Sequence, residues 1–218
     1  MTKTQKSFIV TIVLWLAFVL FTVLVQVVDV RPIGPLNSSV GFAGINQWMQ
    51  RALGSHPSMD LLTDVTLLIA ILAAVATGLR GVVQFIKRKS ILKVDRSILW
   101  LAACYLLMMA IYIIFEESIV NYRPVLEEGV LEASYPSSHT MLVFFMLGTA
   151  VIEWKGRLAK KWSIWACIFA SVVIAVTIVG RALAGVHWFT DIVGGVLLAS
   201  VLVAFYYSLH QWSKKQEV

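Results

Sequence analysis

An arginine, a histidine and an aspartate fall inside one short stretch where two long apolar runs meet: Gly180-Arg181-Ala182-Leu183-Ala184-Gly185-Val186-His187-Trp188-Phe189-Thr190-Asp191. Ionisable groups are costly in lipid, so a cluster of them at the mouth of an apolar run marks a functional site. His187 and Asp191 are four residues apart. On a helix they would share one face, a turn apart, with the carboxylate close enough to hold the imidazole. Arg123-Pro124 and Pro136-Ser137-Ser138-His139 bring a second arginine and a second histidine to the same kind of place.

These residue types suit phosphoryl chemistry. Two arginines, Arg123 and Arg181, can grip a phosphate bidentately and stay charged at any working pH. Ser137 and Ser138 at the start of a helix offer N–H groups and hydroxyls to an anion. A carboxylate-held histidine, His187, can attack phosphorus, and His139 can protonate the departing oxygen. Two histidines and one carboxylate could instead bind zinc, but the arginines would crowd a cation, so neither a metal nor another cofactor is expected. His56 and His210 have no such company and read as solvated or interfacial. Gly194, Gly195 and Ala199 read as helix-packing residues of a membrane bundle.

The elements that must carry this chemistry are apolar. Of 218 residues 59% are hydrophobic, and the mean hydropathy is +0.83. Such a chain is read as one membrane domain over 1–218, all-α, with six transmembrane helices at about 8–28, 61–86, 97–115, 137–152, 162–180 and 188–209. The first run is read as a span and not a signal peptide, because no small-residue cleavage site follows it. Between the first two spans, Phe42, Ile45, Trp48, Met49, Ala52 and Leu53 recur at helical spacing, with Asn37-Ser38-Ser39 as a cap and Gly54 as a stop. That is an amphipathic helix at the membrane interface, or a surface segment packed on the bundle. Cys104 and Cys167 lie in apolar runs and read as small hydrophobes. The tail over 213–218 is polar.

Fourteen of the 18 lysines and arginines fall in the termini and in or beside the loops after the second and fourth spans, counting Arg80 near the end of the second span. The opposite loops hold Arg31, Arg51, Arg123 and Arg181. The positive-inside rule then places both termini in the cytoplasm of a multi-pass cell-membrane protein, and the net charge of +6 reports topology, not nucleic-acid binding. Arg123, His139, Arg181, His187 and Asp191 all reach the extracytoplasmic surface in that arrangement.

In these residues the chain resembles the type 2 phosphatidic acid phosphatase superfamily, whose motifs read Lys-x6-Arg-Pro, Pro-Ser-Gly-His and Ser-Arg-x5-His-x3-Asp. The third is matched by Arg181, His187 and Asp191, the second by Pro136 to His139, and the first by Arg123-Pro124. The resemblance covers the chain from Ser97 onward in detail and the whole in outline. It implies a metal-independent phosphatase acting on a membrane lipid phosphate or isoprenyl diphosphate. His187 would form a phosphohistidine, Asp191 would orient it, and His139 would serve as acid. Arg123, Arg181 and the Ser137-Ser138 region would hold the transition state. Three positions depart from the pattern: Ser138 replaces a glycine, Gly180 a serine and Glu116 the first-motif lysine. Glu116 would oppose a phosphate by about 1–4 kcal/mol at ~4 Å, so it is expected to orient Arg123 or to meet a cationic part of the headgroup. The alternative is a lipid-phosphate binding or transport protein that turns over weakly or not at all.

Overall fold

Thr2 opens the first helix with a reciprocal cap. Its hydroxyl accepts from the Gln5 N–H at 3.2 Å, and the Gln5 side chain accepts from the Thr2 N–H at 2.8 Å. The computed structural model describes residues 1–216; the last two residues of the polar tail lie outside them. Seven α-helices follow in order: α1 Lys3–Val27, α2 Ala43–Leu53, α3 Pro57–Arg88, α4 Arg96–Glu117, α5 Ser138–Trp154, α6 Lys160–Ala184 and α7 Phe189–Gln216. Apart from two short 3-10 turns and three isolated bridges, no other regular structure occurs among the described residues.

Five of these helices, α1, α3, α4, α6 and α7, are long and apolar enough to cross a membrane, and α5 is a shorter apolar helix. At 17 residues it spans about 26 Å, slightly less than a hydrocarbon core of ~30 Å. It can be short because it is interior: Val143, Phe145, Leu147 and Thr149 are all buried. α1, by contrast, buries Thr11, Phe18 and Val25, one residue every seven, and exposes Ile12, Val13, Leu16, Leu20 and Val23. An exposed apolar face of that extent suits lipid and not water.

Helix α7 is the centre. Of its apolar stretch 56% is buried, against 17–22% for the other four long helices. It packs on α1, α4 and α5. Two glycines permit the closest approaches: a Cβ on Gly194 would lie 2.4 Å from the Tyr135 ring, and one on Gly195 would lie 2.8 Å from the Ser137 carbonyl. Both therefore do the packing work expected of them, as does fully buried Ala199. One core cluster joins α1, α4, α5 and α7 through Phe18, Met108, Phe145 and Leu202. A second joins α3, α5 and α6 through Ala70, Val143 and Val173. Helices α1 and α4 both rest on α7 and meet through the edge-on rings of Phe18 and Phe115, centroids 5.9 Å apart, with an apolar groove between them.

The segment before α2 differs from expectation. Asn37, Ser38 and Ser39 do not cap the helix; Pro35–Asn37 forms a 3-10 turn, and α2 begins after Phe42. Asp29 takes over the capping role, its carboxylate accepting from the Gly44 N–H at 2.7 Å. Gly54 ends α2 with a positive φ, as expected. Asn46 pins α2 to the start of α7, donating to Thr190 Oγ1 at 3.0 Å and accepting from the Thr190 N–H at 3.1 Å. His210 is a correction: it is 3% exposed and lies 3.4 Å from Glu153, so it is neither solvated nor interfacial.

Candidate active site

The three motif segments meet at the end of the bundle where α6 passes into α7. Helix α6 runs four residues past the span expected for it and includes Arg181 in its last turn. Gly185 then caps it in the left-handed region (φ 76°) and turns the chain so that His187 faces back toward the loop before α5. His187 therefore precedes α7 instead of lying on it, and Asp191 sits in the first turn of α7.

That difference changes how the pair is joined. His187 Nδ1 is 4.0 Å from Asp191 Oδ2, too far for a hydrogen bond. Ser134 stands between them, its Oγ 3.0 Å from His187 Nδ1 and donating to Asp191 Oδ2 at 2.6 Å. Asp191 is fully buried and accepts two further bonds, from Asn121 Nδ2 at 3.0 Å and the Trp188 N–H at 2.9 Å. The peptide N–H of Ser137 donates to the Asp191 carbonyl at 2.9 Å, which straps the start of α5 to α7. His187 Nε2 is buried and has no hydrogen-bond partner among the described residues.

Around this nitrogen lie the basic groups. Arg123 comes from the loop after α4. Its N–H donates to the Glu132 carbonyl at 3.0 Å, within an excursion turned at Glu128 and Gly129, both with positive φ. Its guanidinium pairs with Glu127 at 3.0 Å and lies 3.4 Å from Glu132. Arg181 is buried, donates to Asp60 and, at 3.2 Å, to Thr63 Oγ1, and leaves its Nε without a partner. His139 Nε2 lies 2.9 Å from Asp64 Oδ1. A narrow pocket reaches His187 between Arg123, Glu116, Tyr112, Ser134 and Ser138, with about 10 Å³ of free space, the room of one water molecule.

Of the expected residues, Arg123, Ser138, His187 and Glu116 line this pocket, and Arg181, His139, Asp191 and Ser137 do not. Ser137 does not line the pocket: it is fully buried, its Oγ accepts from Thr140 at 3.1 Å and its N–H is used on Asp191. Only Ser138 of that pair faces the pocket. Glu116 faces the pocket beside Tyr112, while the ion-pair partners of Arg123 are Glu127 and Glu132. The glycine at 180 has a steric reason, since a Cβ there would lie 2.7 Å from the Thr63 methyl on α3. A serine there would require the Thr63 side chain or the α3–α6 packing to shift.

Sequence reasoning missed Ser134, Asn121, Asp60 and Asp64. The last two had a signal: acids one turn apart at the same end of the bundle as both arginines, where a lone charge is costly. Ser134 and Asn121 had none, because their roles come from contacts 57 and 70 residues away.

Burial, and then the positive charges of Arg181, Arg123 and His139, hold the His187 pKa well below its ordinary 6.5. The neutral imidazole is the form with a lone pair to give. The unfolded chain takes up a proton near pH 6.5 that the native His187 refuses, so this residue makes folding less favourable as pH falls below 6.5. In a 15N titration of the histidine rings, His187 is expected to remain neutral at pH 6.5; a half-protonated signal there would contradict the burial argument.

The fold and the cluster define a multi-pass membrane protein with a polar pocket lined by Arg123, Ser134, Ser138 and His187 at one end. The family model of the PAP2 superfamily matches residues 101–215, and the chain belongs to that superfamily. Among solved structures it is similar to the first transmembrane PAP2 type phosphatidylglycerolphosphate phosphatase from Bacillus subtilis. The TM-score is 0.64 and the identity 18%, over 94% of this chain and 96% of that one. No curated protein matches the sequence. Family and fold together support hydrolysis of lipid phosphates in general.

Proposed function

We propose that the chain, as a single domain over 1–218, hydrolyses a lipid phosphate or isoprenyl diphosphate without metal, at the outer surface of the cell membrane. The observation that carries this reading is the unpartnered, buried Nε2 of His187 at the bottom of a pocket flanked by Arg123 and Ser138. His187 Nε2 attacks phosphorus; the N–P bond forms as the P–O bond to the lipid breaks, and His139 gives a proton to the departing oxygen. His139 then takes a proton from water, which attacks the phosphohistidine, releases inorganic phosphate and regenerates neutral His187. Arg123, Arg181 and the N-terminal turn of α5 at Ser138 stabilise the charge that grows on the phosphoryl oxygens. For phosphate to enter, the arginines must exchange Asp60 and Glu127 for substrate oxygens.

The lipid reading draws on the groove between α1 and α4, of about 440 Å³ and floored by α7. Ile111 and Phe115 line both this groove and the pocket, so a hydrocarbon chain lying in the groove ends where the phosphate would sit. The six apolar helices read as six spans, α5 included, with α2 lying at the interface. The loop charges orient both termini to the cytoplasm and the pocket outward. Glu116 beside Tyr112 suits a headgroup with a cationic part.

The second reading, binding or transport with little turnover, is favoured by the carboxylates already on both arginines and by Glu116. Phosphate release in detergent micelles with chelator present separates the two. Phosphatidic acid, phosphatidylglycerol phosphate and undecaprenyl diphosphate are compared with a short, water-soluble phosphate ester. Release from at least one long-chain lipid, tenfold or more above the soluble ester and unaffected by chelator, is expected. Tight binding without release supports the second reading, and equal rates on the soluble ester remove the groove from the argument.

A further inference from the structure

We infer that Ser134 is the positioning residue that sets the tautomer of His187, transmitting the charge of Asp191 through its hydroxyl; the inference deepens the phosphatase reading and rests on it for its kinetic part. Proton accounting carries it. An ionised carboxylate only accepts, so the single hydroxyl proton of Ser134 goes to Asp191 Oδ2 at 2.6 Å. The serine oxygen then has only lone pairs to offer His187 Nδ1 at 3.0 Å, and that nitrogen must carry a hydrogen. A neutral ring with its proton on Nδ1 has its lone pair on Nε2, the buried atom without a partner in the pocket. The order imidazole, hydroxyl, carboxylate therefore points the reactive lone pair at the phosphate site.

The surroundings fix the direction. Asp191 cannot turn away to reach His187 directly, because the Asn121 amide holds Oδ1 and the Trp188 N–H holds Oδ2. Asn121 also holds Ser134 from behind, its carbonyl accepting from the Ser134 N–H at 2.9 Å. Ser134 is 3% exposed, so no bulk water competes for its hydroxyl. A merely space-filling serine would not need both of its bonds to fall on the two groups it separates.

Two measurements test this. The first uses the unaltered protein with 15N-labelled histidine: at neutral pH His187 is expected to show a protonated Nδ1 and an unprotonated Nε2, and the opposite tautomer overturns the proposal. In Ser134→Ala the same ring is expected to become a mixture of the two. The second is a kinetic cycle on the best lipid phosphate. Ser134→Ala is expected to lower kcat about 10- to 100-fold with KM within about twofold and an unchanged melting temperature. Asp191→Asn, which removes the negative charge behind the Ser134 hydroxyl, is expected to lower kcat by more than Ser134→Ala does. The double variant is expected to be no worse than Asp191→Asn alone, because both act through one path. Losses that multiply, or a Ser134→Ala enzyme with wild-type kcat, overturn the proposal. If the unaltered protein releases no phosphate from any lipid, the phosphatase reading fails, while the tautomer measurement still decides the role of Ser134.

Discussion

Replacing His187 with alanine is expected to remove phosphate release, lowering kcat about 10³-fold or more, while lipid-phosphate binding stays within a few-fold of the unaltered protein. The size follows from what is lost. Alanine leaves no atom that can bond to phosphorus, so the two-step path through a covalent intermediate closes. The remaining route is direct attack by water, which would have to fit beside the scissile bond in a pocket with room for about one water molecule. Binding is expected to survive because the groups proposed to meet the phosphoryl oxygens, Arg123, Arg181 and Ser138, hang on other elements. Arg123 is set by its loop, and Arg181 by α6 against α3. A 32P-labelled lipid, quenched in base within one turnover, is expected to leave label on the unaltered protein and none on His187→Ala. The proposed bond would be a phosphoramidate, so the label should fall off in acid. A His187→Ala protein that keeps a tenth of the wild-type rate would mean that water attacks directly, and His187 would lose its role as nucleophile.

The parts of this site that the sequence displays are those whose logic is local. Long apolar runs predicted the helices, with ends off by one to seven residues, because an apolar span is set by counting while the polar ends of α1 and α7 carry the helix further. Arg181, His187 and Asp191 stood out because three ionisable groups at the mouth of such a run need a reason. The lateral pairings were not visible. Nothing near Ser134 in the chain indicates that it will stand between His187 and Asp191, since that place depends on how the loop before α5 folds over α7. Asp60 and Asp64 were legible as charges at a span end but not as the partners of Arg181 and His139, because pairing requires knowing which face α3 turns to α5 and α6. The direct His187–Asp191 contact failed for a related reason: the helix starts two residues after His187, so the one-turn spacing does not apply to it. Gly180 reads as a lost phosphate donor until Thr63 of α3 is seen against it.

Glu153→Ala is expected to destabilise the folded protein by about 3–5 kcal/mol, without changing kcat in the molecules that remain folded. Glu153 lies at the far end of α5, about 22 Å along the helix from Ser138 at the pocket. It is fully buried and accepts from Arg80 Nη1 at 2.9 Å and from the Tyr206 hydroxyl, with Arg157 at 3.6 Å and His210 at 3.4 Å. Arg80 continues to Asp95 at 2.5 Å, and Gln84 donates to the same carboxylate at 2.8 Å. One carboxylate thus ties α3, α5 and α7 together and, through Arg80, reaches the residue that precedes α4. Removing it leaves the Arg80 guanidinium half-paired in a place with little water, and a buried charge without its partner costs more than the pair itself contributes. Glu153→Gln keeps the shape and one acceptor, so its loss should be smaller, and the difference between the two variants isolates the charge. Unfolding in mixed micelles of graded denaturing detergent measures both. The same three helices carry Asp60, His139 and Asp191 at their other ends, so the lock at one end holds the spacing of the site at the other. Wild-type stability in Glu153→Ala would show that apolar packing alone holds these helices in register.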